Sequence, residues 1–168
     1  ILNVTQAIES FFSVFFRVEL VYRPVARSKG IDHGQVNDLL TILYRNTKKS
    51  GFVNMRDHFI GYVVSNTKLD SIDHSTTYIA LMPDKPRTVS KTTLDTIKDI
   101  KLRKLCKNLL SIKIHELRNK VVHKLAYRPS QKETQDAMSE AMEIIYGLTS
   151  HFQIESDNID SYMHEECF

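Results

Sequence analysis

The chain has 168 residues and a net charge of +3, and its residues are 42% hydrophobic and 26% charged. These values are typical of a globular protein and argue against disordered, collagen-like and membrane-embedded classes. The length suits one domain with a single core. Five glycines and four prolines are too few for a turn-rich β-sandwich or barrel, so we expect an all-α fold.

The two cysteines, Cys106 and Cys167, form no Cys-x-x-Cys pair. We therefore expect no disulfide framework, and the cysteine content favours a reduced, cytoplasmic location. The apolar stretch at 11–16 runs into Arg17 without a cleavage motif, so it does not resemble a secretory signal. We expect no membrane association, no metal site and no cofactor.

Charge is distributed very unevenly along the chain. Residues 1–97 carry a net +3, residues 98–132 a net +9 and residues 133–168 a net −9. This asymmetry favours two interpretations, which do not exclude each other. Either the basic segment meets a polyanion, or the acidic C-terminal part lies against the basic segment and screens it.

Apolar periodicity predicts helices at 5–22, around 36–43 and from about 54 onward. Pro24 is expected to end the first of these helices. The phenylalanines at 11–16 surround their helix on more than one side. They favour core packing, with a dimer interface as the alternative.

Residues 65–89 lose the helical period and are predicted to form one longer loop, with a short extended stretch at 76–82. A long helical pattern follows from about residue 90 to 127, with a possible break at 99–101.

Ser130 and Glu133 have the spacing of a capping box and predict the start of a last helix. We predict a helical bundle of about five helices over residues 1–154 and a loose acidic tail over 155–168. The side chains expected to be buried in the last helix are Met138, Ala141, Ile145, Leu148 and Phe152.

A packing stripe in the long helix changes character along its length. Its first half is apolar and consists of Leu102, Leu105, Leu109 and Ile112. The same spacing then continues as Glu116, Asn119 and His123. Imidazole titrates near neutral pH and can accept and return a proton, whereas arginine matches phosphate oxygens with a planar fork of donors. With Arg118 beside Asn119, the segment predicts metal-free cleavage of RNA, whose 2′-OH is an internal nucleophile.

Within residues 115–123, Arg118 and His123 enclose four residues, and Asn119 follows the arginine directly. This arrangement resembles the R-x4-6-H motif of HEPN (higher eukaryotes and prokaryotes nucleotide-binding) domains. A second match to the spacing, Arg27 with His33, straddles a glycine and a predicted helix start, so we set it aside.

The resemblance implies an all-α HEPN-like bundle and a metal-independent endoribonuclease with catalytic Arg118, Asn119 and His123. It also implies a homodimer with a composite active site, a role in toxin–antitoxin or defence systems, and control by an antitoxin or nucleotidyltransferase partner. The side chains expected to bind RNA are Lys113, Lys120, Lys124, Tyr127 and Arg128. The alternatives are a non-catalytic helical module that binds RNA or nucleotide, and a protein-interaction domain. For Glu116, Asn119 and His123 the alternative is the solvated face of an amphipathic helix.

Overall fold

A computed structural model of the chain describes residues 2–28, 33–48, 50–66, 69–82, 90, 92–124 and 127–154. The described residues contain helices and no strand, which confirms the all-α prediction. The predicted acidic tail at 155–168 lies outside them.

The chain divides into two compact units. We call the described residues between 12 and 82, together with Ile154, the aromatic unit, and the described residues between 2 and 11 and between 90 and 153 the charged unit. The helices in chain order are α1 (Leu2–Arg17), a π-helical turn (Val18–Tyr22), α2 (Arg23–Arg27), α3 (His33–Thr47), α4 (Phe52–Ser65), α5 (Ile72–Ala80), a 3₁₀ turn (Thr93–Thr96), α6 (Ile100–Ser111), α7 (Ile114–His123) and α8 (Gln131–Phe152).

Aromatic side chains from α1 and α4 form the core of the aromatic unit. The rings of Phe15 and Phe59 meet edge to face, with centroids 4.7 Å apart. Phe12 contacts Phe52 at 6.0 Å, and Tyr62 contacts Phe15 at 5.5 Å. Such edge-to-face pairs stabilise a core beyond the area that they bury. The phenylalanine cluster of α1 therefore packs in the core, as its pattern favoured.

Pro24 does not end the first helix, contrary to the prediction. The chain continues through the π-helical turn into α2, where Pro24 occupies the first turn. Proline has no N–H, and its ring would clash with the carbonyl four residues earlier in a regular helix. The turn before it is widened, because the N–H of Arg23 donates to the carbonyl of Val18 five residues back. The π-helical turn thus accommodates the proline.

The prediction of one loop over 65–89 is wrong for the nine residues of α5, and so is the extended stretch at 76–82. Ser71 caps this helix by accepting a hydrogen bond from the backbone N–H of His74. Ser75 and Ile79 are fully buried, four residues apart. The segment is rich in Ser, Thr and Asp, so its helical period is carried by few apolar residues and is easy to overlook.

The long helix predicted over 90–127 is two helices, α6 and α7, preceded by a 3₁₀ turn. Asp99 caps α6 through Leu102 N–H at 2.8 Å, in agreement with the expected break at 99–101. A second break, which was not predicted, falls between Ser111 and Ile114. The Ser111 hydroxyl donates back to two carbonyls of its own helix, which competes with continuation of the helix.

Helix α8 begins with the predicted capping box: Ser130 and Glu133 satisfy each other's backbone N–H groups. Ala141 and Leu148 are buried as expected, whereas Met138 is 38% exposed. Ile145 and Phe152, also expected to be buried, are half-buried. The buried stripe of α8 runs through Ala137, Ala141, Ile144 and Leu148, and its centre lies about 50° around the helix axis from that of the predicted stripe. Gly147 lets α6 approach, because a Cβ there would lie 2.6 Å from Leu105 Cδ2.

Candidate functional site

Helix α7 carries the predicted catalytic residues on two different sides. Ile114 and Leu117 are buried and anchor the helix in the charged unit. Asn119 and His123 are exposed, and Arg118 is half-buried beside the buried side of the helix. The helix therefore presents an amide and an imidazole to solvent, one turn apart.

Arg118 and Asn119 are joined directly. The Nη1 of Arg118 donates a hydrogen bond of 3.1 Å to Oδ1 of Asn119. Arg118 and His123 are five residues apart, so they lie about 140° from each other around the helix axis. Within the described part of the chain, no hydrogen bond links His123 to either residue. The structure thus pairs two of the three predicted catalytic residues.

The break before Ile114 changes the interpretation of the polar stripe. Leu109 and Ile112, in the first half of the stripe, are buried. Glu116, Asn119 and His123 lie on an exposed side of a separate helix. The polar residues therefore do not continue the packing seam of α6; they form a solvent-facing side of α7.

A cleft of about 570 Å³ runs along α7 and α8 within the charged unit. Three of the predicted RNA-binding residues line it: Lys113, Lys120 and Tyr127. Lys124 and Arg128 are exposed and do not line it. The predicted RNA-binding set is therefore divided between a cleft and the open surface.

Tyr127 lies between a cation and a carboxylate in this cleft. The Nζ of Lys120 is 5.9 Å from the centroid of the Tyr127 ring, within the range of a cation–π contact. The Tyr127 hydroxyl is 3.5 Å from Glu133 Oε1. Desolvation, with Glu133, raises the pKa of the Tyr127 phenol. The ring is held in place by residues of both helices.

Acidic residues of α8 form the opposite side of the cleft, and the prediction of site residues missed them. Glu133, Asp136 and Glu140 line it at spacings of three and four residues. Desolvation raises the pKa of Glu140, and the charge of Lys113 acts in the opposite direction. Acidic α8 therefore screens the cleft lysines, which is the second of the two interpretations of the charge asymmetry.

The other match to the arginine–histidine spacing has a different environment. Arg27 Nη1 donates to the carbonyl of Leu69 at 3.3 Å and lies 3.7 Å from Asp70 Oδ1. Residues 29–32, between Arg27 and His33, lie outside the described part of the chain. Arg27 thus ties α2 to the segment before α5.

Cys106 is fully buried, and burial raises the pKa of its thiol to about 12. It is therefore a packing residue of α6. In the described ranges no group of His, Cys, Asp and Glu side chains has the arrangement of a metal site. None of the described helices combines the length and the apolar character that crossing a membrane requires.

No protein-family model, curated protein or solved structure significantly matches the chain.

Proposed function

We propose that the protein is a metal-independent endoribonuclease of HEPN type that uses Arg118, Asn119 and His123. The observation that carries the proposal is the exposed side of α7, where Asn119 and His123 face solvent one turn apart. The hydrogen bond from Arg118 to Asn119 supports it, because it directs an otherwise mobile guanidinium toward this side.

In the proposed reaction, His123 takes the proton of a ribose 2′-OH, and the 2′-oxygen attacks the adjacent phosphorus. The bond from phosphorus to the 5′-oxygen breaks, and that oxygen receives a proton from the partner subunit's His123. The products are a 2′,3′-cyclic phosphate and a free 5′-OH. Arg118 stabilises the negative charge that develops on the non-bridging oxygens.

This division of roles requires a homodimer in which the two α7 helices face each other across one shared active site. One histidine acts as the base and the other as the acid, so a single chain supplies only one of the two groups that transfer protons. Arg118 and His123 of one chain point about 140° apart around the α7 axis. This angle fits the dimer, because a phosphate held between two α7 helices can be reached by the arginine of one helix and the histidine of the other.

RNA binding in this proposal relies first on Lys124 and Arg128, because both are exposed and neither lines the cleft with the carboxylates of α8. Tyr127 offers a ring on which an unpaired base can stack. Lys113 and Lys120 contribute less, because Glu133 and Glu140 share their cleft. A nuclease of this kind acts as a toxin or defence effector under the control of an antitoxin or nucleotidyltransferase partner.

The test is cleavage of a mixed RNA pool in EDTA by the parent chain, His123→Ala, Arg118→Ala and Arg118→Lys. We expect both alanine variants to lose activity by roughly a hundredfold or more, as is usual when an acid–base group or a charge-stabilising donor is removed. Arg118→Lys keeps the charge without the planar fork and is expected to retain a small part of the activity.

His74→Ala is the matched control, because His74 is also an exposed helical histidine but lies on α5. It should cleave like the parent and give the same cyclic phosphate ends. Equal cleavage by the parent and His123→Ala would refute the proposal. Equal RNA binding by all variants without any cleavage would instead favour the non-catalytic RNA-binding module.

A further inference from the structure

The aromatic unit contains a cavity of about 410 Å³ that the proposed nuclease chemistry does not use. Buried side chains of Phe16, Leu43 and Met55 contribute to its lining. Ser13 and Arg17 contribute exposed polar groups. The volume falls within the range of about 300–1,000 Å³ that small-molecule pockets occupy, and polar groups placed beside apolar side chains, as here, fix a ligand's orientation in such pockets.

The π-helical turn contributes to this cavity. Ser13 and Arg17 are four residues apart on α1, and Tyr22 follows five residues later. In a regular α-helix a residue five positions on points about 140° away. In the π-helical turn the hydrogen bond spans five residues, so each turn holds more residues and Tyr22 points closer to the side of Arg17. Arg17 and Tyr22 therefore both line the cavity. π-Helical turns are frequent at functional sites.

Arg17 gives the cavity its electrostatic character. Of the described residues that line it, only Arg17 carries a charge. The ion pairs among the described residues do not include Arg17. Among the described residues, its guanidinium donates only to Ser13, at 3.3 Å to the carbonyl and 3.5 Å to the hydroxyl. Contacts this long are weak, so a carboxylate can replace them with a bidentate pair.

We propose that this cavity binds a small organic carboxylate with an apolar body, the carboxylate at Arg17 and the body against Phe16, Leu43 and Met55. The cavity has an uncharged lining and one cation at its edge. It therefore favours a ligand that carries a single negative charge at the end of an apolar chain or ring. A neutral molecule of the same shape gains only the apolar contacts, and a highly charged anion loses solvation without gaining further partners.

The test is an NMR titration of the full chain with octanoate and 3-phenylpropionate, and with their neutral counterparts octan-1-ol and 3-phenylpropan-1-ol. We expect the carboxylates to shift the resonances of Phe16, Leu43 and Met55, and to bind roughly tenfold more tightly than the alcohols. Arg17→Gln should remove this preference while leaving weak binding of the alcohols.

Arg45→Gln is the matched control, because Arg45 is an exposed arginine of α3 that does not line the cavity. It should keep the preference for carboxylates. The proposal is overturned if neither acid shifts the cavity resonances at roughly 10 mM, a concentration that detects even millimolar binding. It is also overturned if Arg17→Gln binds the acids as the parent does, or if the shifts map outside the cavity.

Discussion

The aromatic unit and the charged unit use ionisable groups in opposite ways. In the aromatic unit, Glu19 is largely buried, pairs with Arg23 and accepts a hydrogen bond from Tyr62 at 3.4 Å. Desolvation raises the pKa of Glu19, and desolvation together with Glu19 raises that of Tyr62. In the charged unit, the ionisable imidazole of His123 on α7 faces solvent, as does the neutral amide of Asn119.

The difference separates groups that hold the fold from groups that are available to a ligand. A buried pair such as Glu19–Arg23 costs desolvation and is disrupted when either partner is lost. An exposed imidazole contributes little to the free energy of unfolding, so its replacement leaves the fold intact. Substitutions of the buried groups and of the exposed groups should therefore affect different measurements.

The largest effect on stability is expected in the aromatic core. Phe15→Ala removes a fully buried ring that contacts Phe59 and Tyr62, and should lower the free energy of unfolding by about 3–5 kcal/mol. His123→Ala should change it by less than about 0.5 kcal/mol. Urea unfolding followed by circular dichroism measures both values.

Phe15→Leu serves as the control for this comparison, since it keeps most of the apolar volume and should cost less than Phe15→Ala. If His123→Ala were as unstable as Phe15→Ala, the exposed side of α7 would have a structural role. That result would contradict the distinction between groups that stabilise the fold and groups that are available to a ligand.

A smaller effect should come from pH, through His58 on α4. His58 is 7% exposed, and within the described part of the chain its Nε2 makes no hydrogen bond. Desolvation lowers the pKa of His58, and Asp57 only partly offsets this. The neutral form is favoured in the folded state, so stability is complete above the ordinary histidine pKa of about 6.5 and falls as the pH drops below it.

His58→Gln should flatten the stability profile over this acidic range, because glutamine does not titrate. Each unit by which the pKa is lowered corresponds to about 1.4 kcal/mol of stability lost at low pH. Unfolding free energies of parent and variant at matched pH values test this. Parallel profiles for the two proteins would show that His58 is not the source of the dependence.

The fold was predictable where one local signal determined the outcome. Ser130 and Glu133 marked the start of α8 because a capping box depends on only a few neighbouring residues. Pro24 misled the prediction, because a π-helical turn relieves its clash and nothing in the local pattern shows that turn. Such a turn depends on packing of the surrounding helix.

The candidate site was predictable as a set of residue types but not as a surface. Spacing placed Asn119 and His123 on one side of a helix, and the structure agrees. The break after Ser111 separated that side from the seam of α6, and α8 brought Glu140 near Lys113. Both depend on tertiary packing, which sequence periodicity does not encode.

The smallest expected effect concerns the screening of the cleft lysines. Asp136→Asn with Glu140→Gln removes two carboxylates from the cleft and leaves the capping box intact. RNA binding should tighten severalfold at low salt, because Lys113 and Lys120 become available to phosphate. Lys124→Gln should weaken binding. It should also reduce the slope of log affinity against log salt concentration by about one, the value expected for one phosphate contact. Fluorescence anisotropy at several salt concentrations distinguishes these outcomes.

An unchanged affinity in the Asp136→Asn/Glu140→Gln variant would mean that the cleft does not contact RNA. Binding would then depend on the exposed cations of the charged unit, Lys124 and Arg128.

The most direct test of the central claim is the requirement for the 2′-OH. The parent chain is given an RNA oligonucleotide that it cleaves and the same sequence with a 2′-O-methyl group on every ribose, both in EDTA. Without the nucleophile the proposed reaction has no first step. We predict that the methylated strand binds but stays intact, while the unmodified strand gives 2′,3′-cyclic phosphate ends. Cleavage of the methylated strand at the same positions would contradict the account.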